Sequence, residues 1–524
     1  MSTTVVRPRD ESLAAALRLA SGFGLLVFVF HVAMNLLQRH LGYGYFRDEM
    51  YYLMCGRHLA WGYVDHGPLV AVQARLAETL FGDSLAGIRM LSGLAGAARI
   101  FLTGLLAWSL GGRRPAQALA MTGVLVAPEY LALDGFLSMN SVESIFWMLC
   151  LLAVILIQRG GSERLWLLFG VAGGLGLLNK PSMTFFLVAL LAGLLLTPQR
   201  RLLASRWAAI GVGVLILIAL PNLLWQIHNH WPTLEFLSNG RKEHKNVALP
   251  PLAFLGAQIV ALHPLNLLLW GAGVVWLVRN AAWRWAGIAY LLFLAAMMAM
   301  HAKDYYVMPV YPVLFAAGGI AWEGFYGKSR GVQAGRRFAF PVLQTALVVT
   351  GLIILPLSTP IFTPPTWLAY TKATHLYNIG GNSENTENGP LPQFFADRFG
   401  WQEEVDEITR IYNSLSPEDR ARTAILCSNY GEASAINMLG HGLPTAISGH
   451  NNYYLWGTHG ATGEVVIVVS GGTVADMQEN YADVQIAGRM DHPLAMPYEH
   501  RNIYLLRHRK LNLTADWLAL KHYI

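Results

Sequence analysis

The stretch ASGFGLLVFVFHVAMNLLQRHLGYGYFRDEMYYLMCGRHLAWGYVDHGPL, Ala20 to Leu69, joins a hydrophobic run to an aromatic segment carrying Asp48, Glu49, Asp65 and His66. The run over residues 20–38 is close to the ~20 apolar residues that cross hydrocarbon as a helix. Carboxylates buried without partners cost several kcal/mol, so the acids that follow belong to a water-filled cavity rather than to lipid. Two readings of Asp48 and Glu49 stand side by side: catalytic carboxylates, or caps at the start of an interfacial helix.

Outward from this stretch the same apolar pattern repeats. Only 13% of the 524 residues are charged and 54% are hydrophobic, against about 25% charged in an ordinary soluble domain. Hydropathy predicts about eleven spans, near 20–38, 85–110, 116–133, 140–157, 165–178, 182–197, 207–226, 252–278, 285–300, 307–323 and 338–357. The pair around Asn179-Lys180-Pro181 is short, and the run over 252–278 has a natural break at His263-Pro264. Alternate loops are basic: Arg7, Arg9 and Arg18, then Arg113-Arg114, Arg159 with Arg164, Arg200-Arg201 with Arg206, Arg279 with Arg284, and Lys328, Arg330, Arg336 and Arg337. The positive-inside rule puts these in the cytoplasm, the amino terminus inside and the carboxyl terminus outside. No cleavable signal peptide is evident, so the first run is expected to stay as an anchor. The net charge of +6 is dispersed among these loops, not gathered into a face, which argues against nucleic acid as a partner.

From about Ser358 the hydrophobic runs shorten. The expected organisation is a transmembrane domain over 1–357, a linker over 358–392 that includes the Gly/Asn/Pro-rich NIGGNSENTENGPLP, and an extracytoplasmic α/β domain over 393–524. In the last, WQEEVDEITRIYNSL, EASAINMLGHG and VADMQENYA read as helices, while RTAILCSNY, GEVVIVVSGG and RNIYLLRHRK read as strands. None of the strands is followed by a Gly-rich phosphate fingerprint. With three cysteines, Cys55, Cys150 and Cys427, no disulfide framework is expected.

The polar residues that abut the spans fall mostly opposite the basic loops. After the acids of the first outer loop come Glu129, Asp134 and Asn140, then Asn179-Lys180, then His228, His230, Arg241, Lys242, His244 and Lys245, then His301, Lys303, Asp304, Tyr305 and Tyr306. Acids and bases converging from separate loops suit an anionic lipid substrate and a proton-accepting base. The bland readings are snorkelling for Lys180 and Lys303, nonspecific head-group contact for Arg241, Lys242 and Lys245, helix caps for Glu129, Asp134 and Asn140, and interfacial polarity for His228 and His230.

Five ordered motifs, RDEMYY (Arg47–Tyr52), GYVDHGPL (Gly62–Leu69), GLLNKPS (Gly176–Ser182), LPNLLWQIHNHWPTLEF (Leu220–Phe236) and KDYYVMPVYP (Lys303–Pro312), together resemble those of polytopic GT-C-type glycosyltransferases. That family uses polyprenyl-phosphate sugars and includes protein O-mannosyltransferases and bacterial aminoarabinose transferases. SNYGEASAI and GLPTAISGHNNYYLWG resemble the soluble tail of the bacterial branch. Gly67 stands where the family usually has a proline, and His66 replaces the lysine of the aminoarabinose branch, so the donor sugar is not carried over. The resemblance implies an inverting transferase in the cytoplasmic membrane. It would move a sugar from the lipid phosphate to a hydroxyl of an envelope lipid, glycan or protein on the outer side. It implies Asp48 as general base and Glu49 as its orienting partner. Donor-phosphate contacts would come from His66, Lys180, Lys303, Tyr305, Tyr306, Arg241 and Lys245. It also admits a divalent cation near Asp65 and His244, although no ligand spacing requires one. A transporter or lipid flippase is the main rival, and a scaffold for envelope assembly a second; polarity concentrated at one face, without an internal repeat, favours the transferase.

Overall fold

A computed structural model describes residues 12–327, 336–376, 384–510 and 513–524. Arg7, Arg9, Lys328, Arg330 and residues 378–383 of the expected linker lie outside the described residues. Six described helices are long and apolar enough to cross a membrane: Leu13–Gln38, Leu85–Ser109, Met139–Gln158, Arg206–His228, Asp304–Phe325 and Phe338–Ser358. Two further pairs, Ser182–Leu195 with Pro198–Ala204 and Pro251–Ala261 with Pro264–Arg279, bend by 113° and 107° and raise the count to eight if each is one span.

The expected eleven therefore exceeds the six to eight that length and composition support. The reason is helix length. Leu165–Asn179 and Arg284–Ala299 have only 15 and 16 residues, roughly 23 Å at about 1.5 Å per residue, short of a hydrocarbon core of about 30 Å. The run over 116–133 splits into Arg114–Leu125 and Pro128–Leu133, because Pro128 lacks the N–H needed to continue the first helix. The break foreseen at His263-Pro264 is present, with His263 at φ +77°.

The chain forms two compact units. The first comprises Met1–Leu37, Ala86–Leu224 and Ala248–Ile361; the second comprises Gln38–Leu85, Trp225–Val247 and Phe362–Ile524. In the first, Trp147 stacks on Phe186 at 4.3 Å and meets the edge of Phe293 at 5.1 Å. Helices Leu267–Arg279 and Tyr311–Gly327 touch through glycine: a Cβ at Gly273 would strike the Leu314 carbonyl, and one at Gly318 the Leu269 carbonyl. Close backbone approach of this kind replaces the hydrophobic drive that lipid cannot supply.

The second unit is built on a five-stranded sheet: β1 (Thr423–Cys427), β2 (Ala446–Ser448), β3 (Val465–Ser470), β4 (Tyr481–Met490) and β5 (Arg501–Arg509), in the order β2-β1-β3-β5-β4. β1 is parallel to β2 and β3, whereas β5 is antiparallel to β3 and β4. The three helices and three strands read from sequence in this region all form, at Trp401–Asn413, Tyr430–Leu439 and Val474–Asn480 and at β1, β3 and β5. β2 and β4 were not foreseen: one has three residues, and the other is an edge strand with a bulge between Ile486 and Gly488 and mostly exposed side chains, so neither shows a clean apolar period. All three cysteines are buried free thiols.

Candidate active site

The stretch around RDEMYY folds as the helix Arg47–Arg57 of the second unit. Phe46 is extended, and its N–H donates to the Glu49 carboxylate at 2.8 Å, so Glu49, at 0% exposure, closes the first turn. The approach to this helix is fixed by the backbone of residues 397 and 398: Gly44 N–H donates to the Arg398 carbonyl and Arg47 N–H to that of Asp397. A Cβ on Gly44 would strike the Arg398 carbonyl, which explains glycine there.

Asp48 points the other way. Its side chain is 28% exposed, and Oδ1 accepts a 2.8 Å hydrogen bond from the Tyr430 hydroxyl and lies 3.6 Å from Arg47 Nε. No described residue donates to Oδ2. Arg47 and Tyr430 also wall a cavity of about 230 Å³ whose lining includes Lys245, Glu384, Tyr498 and Arg501. Tyr430 lies flat against Tyr51, with centroids 4.4 Å apart, and the Arg47 guanidinium sits 5.5 Å above its ring.

Asp65 and His66 are occupied within the same unit. Asp65 Oδ1 accepts from the Tyr51 hydroxyl at 2.8 Å and from Asn452, and Oδ2 accepts from Asn451 at 3.2 Å. Burial pushes its carboxyl upward, against the pull of His66 and of the Tyr51 hydroxyl. His66 stacks on Tyr63; its Nδ1 donates to the Gly67 carbonyl at 2.8 Å, which leaves Nε2 to face the Cys55 thiol at 3.6 Å. The GHNNYYLWG segment is buried from His450 to Tyr453, and its asparagines donate to the Asp65 carboxylate. His244 and Arg241 are exposed, with no side-chain hydrogen bond among the described residues, and Lys245 lies 3.8 Å from Glu384. Among the described residues no three His, Cys, Asp or Glu side chains gather as metal ligands, and both Asp65 oxygens have amide or phenol partners, so Asp65 and His244 do not fit a cation site.

The remaining sequence candidates lie in the first unit. Lys180 is extended between two helices, as the residue before a proline prefers. Its ammonium, buried, donates to Asn140 at 2.7 Å and to Glu143 at 3.3 Å, and sits 4.8 and 4.2 Å from the ring centroids of Tyr305 and Tyr306. Ser182 also donates to Glu143. Snorkelling is thus excluded for Lys180. Lys303 is half-buried, and its carbonyl accepts from Tyr306. The Asp134 side chain does not cap the next helix: it pairs with buried Arg99 at 2.7 Å, and Ser138 caps Met139–Gln158 instead. The sequence reading missed Glu143, which no motif flagged, and Tyr430, which stood only as part of NYG.

Residues 65–225 match the dolichyl-phosphate-mannose-protein mannosyltransferase family. Over 169 residues the chain is 30% identical to the undecaprenyl phosphate-alpha-4-amino-4-deoxy-L-arabinose arabinosyl transferase 1 of Pseudomonas fluorescens (strain Pf0-1), covering 31% of this chain and 29% of that relative. The crystal structure of ArnT from Cupriavidus metallidurans bound to undecaprenyl phosphate superposes with a TM-score of 0.60 at 15% identity, over 94% of this chain and 98% of that one. Its apo form gives 0.59 at 16%. The chain has the ArnT fold. The matched residues take in GLLNKPS whole, the Asp65–Leu69 end of GYVDHGPL and the Leu220–Trp225 start of LPNLLWQIHNHWPTLEF, whereas RDEMYY and KDYYVMPVYP lie outside them.

Several acids behind the cavity are buried around few cations, which gives the unit a pH dependence. Glu432 and Glu499 lie 3.0 and 4.0 Å from Arg501, with Glu404 beside them, and burial pushes all three carboxyls up. Burial likewise pushes Asp397 up to about 7, against the pull of Arg47 and Tyr498. A carboxyl raised on folding holds a proton that the unfolded chain has released. Its stabilising effect is complete below the ordinary carboxylate range and is lost as pH climbs through the folded value. Between pH 5 and 7 the expected loss is about 1.4 kcal/mol per pH unit for Asp397. Thermal unfolding of the detergent-purified protein should show a falling Tm over that interval, with Asp397→Asn flattening it; a Tm that rises instead contradicts the assignment.

Proposed function

We propose that this protein is an inverting glycosyltransferase of the cytoplasmic membrane that takes its sugar from a polyprenyl-phosphate donor. The acceptor is a hydroxyl of an envelope lipid, glycan or protein on the outer side, where residues 393–524 would also lie. The observation that carries the reading is the division of labour among the first-loop acids: Glu49 and Asp65 are consumed by structure, while Asp48 keeps a partly exposed carboxylate with one oxygen unclaimed. The likenesses to sugar transferases favour this over a transporter.

In the proposed step the acceptor hydroxyl, seated in the cavity walled by Arg47 and Tyr430, attacks the anomeric carbon from the face opposite the phosphate. Asp48 takes the hydroxyl proton, the new C–O bond forms, and the bond to phosphate breaks. The polyprenyl phosphate leaves as a stable anion and needs electrostatic support rather than an acid. Arg241 and Lys245, in the same unit as Asp48, are the groups assigned to it. His66, with both nitrogens engaged, shapes the loop of Asp65, and Glu49 positions Asp48 by closing the helix start.

Mass spectrometry of envelope lipids and glycans from cells with and without the gene tests the proposal. A species lighter by one sugar residue in the deletion strain, restored by the wild-type gene, is expected; identical profiles together with uncoupled lipid or sugar movement by the purified protein would favour the transporter.

A further inference from the structure

Asp48 and the residue that holds it come from distant parts of the chain but from the same compact unit. Tyr430 opens the helix Tyr430–Leu439, whose start is fixed by Asn429 and Glu432 accepting each other's backbone N–H groups. Its own N–H faces His450 Nδ1 at 3.4 Å. The ring stacks on Tyr51 and lies 5.5 Å from the Arg47 guanidinium, and Gly431 leaves room for the Arg47 side chain, which a Cβ there would displace. The hydroxyl of the phenol so held donates to Asp48 Oδ1 at 2.8 Å.

We propose that Tyr430 is the positioning residue of the base: by holding Oδ1 it fixes the Asp48 rotamer and presents Oδ2 to the acceptor hydroxyl. This rests on the transferase reading above. A carboxylate without this tether turns about its side-chain torsions, and a misplacement of about 1 Å at the reacting groups can cost on the order of 100-fold in rate. The arrangement also makes the α/β part of the chain a participant in catalysis rather than an appendage.

The test uses full-length protein and Tyr430→Phe, which deletes one oxygen and keeps the ring. The infrared carboxylate band that vanishes between wild type and Asp48→Asn reports Asp48; comparing Tyr430→Phe with Tyr430→Phe/Asp48→Asn should find that band displaced to the frequency of an untethered carboxylate. Cells carrying Tyr430→Phe at wild-type protein level should lose sugar-modified product by about 100-fold. An unmoved band, or undiminished product, overturns the proposal. Should Tyr430→Phe not fold, 3-fluorotyrosine at position 430 supplies the second measurement: its ¹⁹F resonance should shift on Asp48→Asn, and a resonance indifferent to that change is equally fatal. The transferase reading fails separately, if envelope lipids and glycans from cells with and without the gene are identical.

Discussion

Asp48→Asn is expected to abolish sugar transfer while leaving the protein folded and inserted. The amide keeps the size of the carboxylate and can still accept from the Tyr430 hydroxyl through its oxygen, so the packing of Tyr430 on Tyr51 and under Arg47 survives. What it loses is the capacity to take a proton. A positioned general base contributes about 10²–10⁴-fold, so product in complemented cells should fall by at least about 100-fold at equal protein level. The Tm should move little, since Asp48 is partly exposed and makes no fully buried ion pair. Product near the wild-type amount would remove Asp48 from the mechanism.

Lys180→Met should strike stability first. Its ammonium is the cation beside Glu143, and the two side chains are 8% and 4% exposed. Removing one member of a buried pair leaves an uncompensated charge, a loss of about 3–5 kcal/mol. The Asn140 and Ser182 contacts soften this without replacing the charge. Lys180→Met/Glu143→Leu removes both charges and should recover most of the Tm, because well-packed apolar pairs often match buried ion pairs in stability. Activity separates the two roles. If Lys180 steadies the leaving phosphate, the double variant is stable and still inactive; a double variant that regains both Tm and product assigns Lys180 to the fold alone.

Sequence patterning revealed what depends on local period and charge. The membrane class followed from apolar runs, and three strands and three helices of the sheet region followed from alternating and amphipathic patterns, as in Val465–Ser470 and Trp401–Asn413. It failed where tertiary contacts decide. The edge strand Tyr481–Met490 is held by pairing to Arg501–Arg509 rather than by its own apolar period. The count of eleven spans is not reproduced among the described residues by length and composition, which set apart short apolar helices such as Leu165–Asn179. Asp48 was legible as an acid in an unusual place. The duty of its neighbours was not: Glu49 is a cap because Phe46 is extended, and Asp65 is a structural hub because Asn451 and Asn452 fold onto it.

Asp48 and Tyr430 are separated by 382 residues in the sequence. A ribosome-bound chain therefore presents its acid long before the phenol has been synthesised, and closing so long a loop is among the slower steps of folding. On the proposal that Tyr430 positions Asp48, competence arrives only with the late-made segment, and prematurely terminated products that insert normally are expected to be inert toward the cell's pool of activated sugar.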